Sequence, residues 1–151
     1  MNKSKVYFFS GIILTVGVIA LLVSGDSLLL ISLNSAGTLP LGTIITWAGM
    51  ISLPLTIYWG VGEFRTPTTG LTRVLSGLLK GGMLAGLLWV PIAYLLAGNL
   101  SFSFSQKETF QGGQDAMRWF WVLSYGIAII AISTICTYWI YLFFKRSPIG
   151  K

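Results

Sequence analysis

Titratable, nucleophilic and metal-ligating side chains carry most protein chemistry, and this 151-residue chain holds few of them. Histidine is absent, Cys136 is the one cysteine, and the carboxylates are Asp26, Glu63, Glu108 and Asp115. Zinc, haem and Cys/His sites need more ligands than this inventory offers, so no metal or cofactor is expected. General acid–base catalysis needs a titratable group held at the reacting atom, and no carboxylate falls inside an apolar run. No catalytic residue is assigned, and the chain reads as a non-enzyme, at most a non-catalytic subunit of a membrane enzyme. One charged pair remains. Lys80 lies one to two turns inside an apolar run, where its long stem lets the ammonium snorkel to the interface. Across a short loop it faces Glu63 as a candidate partner.

A second constellation works by contact instead of proton transfer. Gly77, Gly81 and Ala85 repeat at four-residue steps, and so do Gly82 and Gly86. That spacing stacks positions on one helix face. Small residues there let two helix backbones approach closely, which drives association in lipid, where no hydrophobic force acts between helices. The series predicts that this run is the central packing helix, its small-residue face serving either the chain's own fold or a partner.

The elements that must position these residues follow from composition. Hydrophobic residues make up 54% of the chain and charged ones 9%, and the mean hydropathy is +0.80. Soluble domains carry about 25% charged residues. Crossing the hydrocarbon core takes about 20 apolar residues, and four runs meet that length: about 6–24, 43–62, 74–98 and 118–144. The predicted fold is an all-α integral membrane protein, a four-helix transmembrane bundle in a single domain over 1–151. Outer loops fall at 25–42 and 99–117, with an inner loop at 63–73. Lys3 and Lys5 before the first run also fit a signal peptide, but that run is long and Val23-Ser24-Gly25 is a poor cleavage site, so a retained span is expected.

Sidedness follows the basic residues. Lys3, Lys5, Arg65, Arg73, Lys80, Lys145, Arg146 and Lys151 fall on one side, leaving Lys107 and Arg118 on the other. Both termini are therefore expected in the cytoplasm, in a multi-pass protein of the inner (plasma) membrane. The net charge of +6 serves topology and attraction to anionic membrane lipids. No nucleic-acid partner is expected, since no basic soluble face exists to bind one. In the outer loops, 100–105 alternates apolar and polar with the period of a strand, and 28–33 is a short apolar run between turn-forming clusters. They predict a small β-hairpin or sheet; the competing reading is that Phe102 and Phe104 dip into the headgroup layer.

Pro54 and Pro91 fall inside two of the runs and predict kinks. The aromatic residues at run ends predict interfacial belts. In topology only, the chain resembles the larger class of membrane immunity proteins against pore-forming bacteriocins, with four spans, both ends cytoplasmic and a basic charge. That resemblance implies a binder. The expected function is non-catalytic: an accessory subunit, assembly factor or immunity-type binder acting through intramembrane faces and outer loops on a membrane-protein partner. The alternative is a small homo-oligomeric transporter or channel component.

Overall fold

The computed structural model describes residues 3–25, 27–35, 38–104, 110 and 112–146. They form α1 (Lys3–Ser24), α2 (Leu41–Gly60), the one-turn α3 (Gly62–Arg65), α4 (Gly70–Leu87), α5 (Trp89–Ala97) and α6 (Gly113–Arg146), with 3-10 turns at Ser27–Leu30 and Phe102–Phe104. The protein is all-helical. Among the described residues no strand forms, only one antiparallel bridge between Ser32 and Pro40. Helices α1, α2 and α6 are each long and apolar enough to cross a membrane, and α4 with α5 is a fourth candidate, bent by 51°. A helix that is apolar all round belongs in a protein core or in lipid. Ile13 and Val23 of α1, 73% and 81% exposed, have no core to enter.

Helices α1 and α2 pack antiparallel through small residues. A Cβ on Gly49 would sit 2.6 Å from Val18, and one on Gly60 2.6 Å from Phe8. Gly11 lies directly against the Thr56 hydroxyl, and between these contacts the Thr15 and Ser52 hydroxyls are hydrogen-bonded at 3.0 Å. Helix α2 touches every other helix. It is α2, not the glycine-rich α4, that sits at the centre, which corrects the emphasis that the Gly77–Gly86 series invites.

The outer loops differ from the predicted strands. Gly98 closes α5 in the left-handed conformation (φ 70°). Asn99 Oδ1 then accepts from the Ser101 and Phe102 backbone N–H groups at 3.0 and 2.9 Å and from the Ser101 hydroxyl at 2.8 Å. Such an Asx turn competes with extended backbone. It swings Phe102 inward, at a positive φ of 44°, where it is 1% exposed beside Trp89 and Phe120. Phe102 therefore belongs to the protein interior and not to the headgroup layer. Thr43 Oγ1 holds the turn down by donating to Leu100 O at 2.7 Å. Ser105, the end of the alternating stretch, lies outside the described residues. In the first loop Asn34 Oδ1 accepts from Thr38 and Leu39 N–H, and Leu28, Leu30, Ile31 and Leu33 stay exposed.

Candidate functional site

Helix α4 starts from a reciprocal cap: Thr69 Oγ1 accepts from Thr72 N–H, and Thr72 Oγ1 accepts from Thr69 N–H. Such a cap satisfies two otherwise orphaned donors and fixes where the helix begins. From there the small-residue series divides in two. Gly82 and Gly86 are buried and face the protein's own helices. A Cβ on Gly82 would find Pro54 at 3.7 Å and Ile130 at 3.8 Å, ordinary contacts, whereas one on Gly86 would meet the Met50 carbonyl oxygen at 2.6 Å. Ala85 is half-buried against the aromatic cluster of Trp89, Phe102 and Phe120. Gly77 and Gly81 are exposed, with open space where a Cβ would stand.

Two prolines explain why the contacts fall where they do. Pro54 cannot donate to Met50 O, four residues back, and the freed oxygen lies where a Cβ on residue 86 would stand, a space that glycine leaves open. Pro91 likewise cannot donate to Leu87 O, and the helix breaks at Leu88. Here Trp47 Nε1 of α2 donates to Gly86 O at 3.1 Å and to Leu87 O at 3.3 Å. Membrane helices tolerate proline when a neighbour re-satisfies the freed carbonyl in this way. Trp47 was not singled out in the sequence, where it reads as one more aromatic. Its one signal is that it lies seven residues before Pro54, on the face α2 turns to α4.

Of the candidate charged pair, Lys80 is exposed, and its Nζ lies 5.9 Å from the centre of the Tyr58 ring. Glu63 is half-buried, and its Oε2 has no hydrogen-bond partner. The structure does not join the two through that oxygen. Arg65 lies over Trp59 at 5.5 Å and donates to the Ser4 hydroxyl, and Lys145 lies over Tyr141 at 5.6 Å. The basic residues of the α1 start, the α2–α4 link and the α6 end thus gather with Lys80 of α4 at one end of the molecule, and Arg65, Lys80 and Lys145 lie over aromatic rings. Cation–π contacts of this kind contribute about 0.5–1 kcal/mol when exposed.

At the opposite end an apolar cavity of about 390 Å3 opens among α1, α2, α5 and α6, bordered by Leu22, Met50, Phe104, Trp121 and Tyr125. Of its hydroxyls, Ser124 Oγ is engaged, donating to Phe120 O and accepting from Trp89 Nε1, and Thr46 Oγ1 is buried without a partner. The wall is nearly all carbon and suits an apolar occupant. Among the described residues no group of three or more His, Cys, Asp or Glu converges on one point. Asp26 and Glu108 lie outside them. No protein-family model, no curated protein and no solved structure matches the chain. Function therefore rests on geometry alone.

Proposed function

We propose that this is a non-catalytic multi-pass protein of the inner (plasma) membrane, crossing it four times with both termini cytoplasmic, and that it works by holding a membrane-protein partner. It would act as an accessory subunit, an assembly factor or an immunity-type binder. The observation that carries this reading is the division of the small-residue series. Gly82 and Gly86 serve the chain's own packing, but Gly77 and Gly81 leave an open, close-approach face on α4. Each glycine in a helix interior costs about 1 kcal/mol relative to alanine, a cost that packing within the chain does not offset at these two positions. A second helix laid along Gly77 and Gly81 does offset it. The exposed Leu28, Leu30, Ile31 and Leu33 of the first loop extend the apolar surface available to a partner.

The same face fits a second copy of this chain, which is the alternative of a small homo-oligomeric transporter or channel component. Affinity purification in mild detergent, with the mass of the intact complex measured, separates the two. A stoichiometric heterologous subunit on the parent, lost in the Gly77→Leu/Gly81→Leu variant at unchanged accumulation, supports the binder. A complex of this chain alone, broken by the same variant, supports the alternative. A monomeric parent that behaves like the variant sinks both.

A further inference from the structure

The last candidate surface lies along the seam between α5 and α6. Asp115, Arg118, Trp119 and Val122 follow at the three- and four-residue steps of one helix face, and all are exposed. Asp115 and Arg118 border a cavity of about 290 Å3 that continues over Trp119 and Val122. Trp119 and Val122 also form one wall of a second cavity of about 350 Å3, completed by Leu123 and by Ile92 and Leu96 of α5. Trp119 and Val122 line both, so the two adjoin along this helix face as a cleft charged at one end and apolar at the other. Among the described residues neither charge has an ion-pair partner. Depth fits as well. Arg118 to Lys145 on the unbroken α6 spans about 40 Å at the helical rise, close to the roughly 40–45 Å between the two headgroup layers of a bilayer.

We propose that this cleft binds one phospholipid of the ethanolamine class. The phosphate sits on the Arg118 guanidinium, whose planar fork matches phosphate oxygens. The primary ammonium donates to the Asp115 carboxylate. One acyl chain runs over Trp119 and Val122 to Leu123, Ile92 and Leu96. Asp115 decides the class: a trimethylated choline nitrogen has no N–H to donate, and an anionic glycerol headgroup offers neutral hydroxyls but no cation to pair with the carboxylate. The inference needs α6 to cross the membrane, but neither the partner helix nor the sidedness proposed above.

Native mass spectrometry of the full chain, purified in mild detergent and offered ethanolamine, choline and glycerol phospholipids with identical chains, tests it. The parent should retain the ethanolamine lipid about tenfold over the other two. Arg118→Gln should lower retention of all three, and Asp115→Asn should erase the discrimination. Met117→Gln, exposed on the same turn but off this face, should keep the parent's preference. O-phosphoethanolamine without chains should displace nothing. Asp115 also complements the positive end of α6, so helicity and melting are recorded beside each spectrum. Equal retention of the three lipids by the parent, an unchanged preference in Asp115→Asn, or undiminished retention in Arg118→Gln means annular lipid only and overturns the proposal. Displacement by the free headgroup compound overturns the lipid as the occupant.

Discussion

At the residue scale, the molecule turns on carbonyl oxygens that its own prolines set free. Met50 O occupies the space a Cβ on Gly86 would need, and Leu87 O meets the indole of Trp47. Two neighbouring glycines therefore answer differently to the same change. Gly86→Ala drives a methyl into backbone and should cost about 1–3 kcal/mol, lowering the detergent melting point by about 2–4 °C per kcal/mol. Gly82→Ala adds a methyl at ordinary contact distance and removes backbone freedom from the unfolded chain, so it should be neutral or stabilising by up to about 1 kcal/mol. Equal losses in the two variants would refute the assignment. Trp47→Phe keeps the ring and removes the donor. It should cost about 1 kcal/mol, the scale of one hydrogen bond, and thermal unfolding of Trp47→Phe beside the parent measures it. A null result would mean that the bend satisfies its own carbonyls. None of this could be read from the chain. Pro54, Pro91 and Gly86 are visible there, but their pairing across helices depends on the register of α2 against α4.

At the element scale, periodicity and length were legible and close approach was not. The apolar runs coincide with helices to within a few residues at most ends, because apolar length is a property of the chain itself. The α1–α2 interface went unseen because its glycines, Gly11, Gly49 and Gly60, are spread over two helices and form a series only when the helices run antiparallel. Thr15 and Ser52 lie midway along that seam. A double-mutant cycle with Thr15→Val and Ser52→Ala should give a coupling energy of about 0.6 kcal/mol, typical of hydrogen bonds between membrane helices. A coupling of zero would leave the seam to van der Waals contact alone. The outer loop misled for a related reason: the alternation around Phe102 marks which residues turn inward, but Asn99 supplies a tighter way to turn them than a strand. The candidate site fared likewise. The Gly77–Gly86 series was visible as a stripe, and its division into an inner and an outer half was not.

At the scale of the whole molecule, charge and architecture support one orientation. Lys3, Lys5, Arg65, Lys80, Lys145 and Arg146 share one end, and the aromatic core of Trp89, Phe102 and Phe120 lies towards the other. Reporter fusions after Arg146 should read cytoplasmic, and a reporter inserted near Gly112 should read external. A C-terminal fusion that reads external overturns the arrangement of four spans with both ends cytoplasmic. The bend at Leu88 has a consequence for how the protein is made. Neither α4 nor α5 qualifies alone as a crossing; only the two together do. The carbonyls exposed at their junction are answered by Trp47, in a helix that leaves the ribosome earlier. Chains are synthesised from the N-terminus, so the donor is already in the membrane when the broken helix arrives. In a chain that crosses four times, the first helical pair should then act as a template for insertion of the second. A chain lacking residues 1–61 should leave the 99–112 loop on the wrong side in a sizeable fraction of molecules, as read by cysteine labelling from outside, and coexpression of the missing pair as a separate chain should restore it.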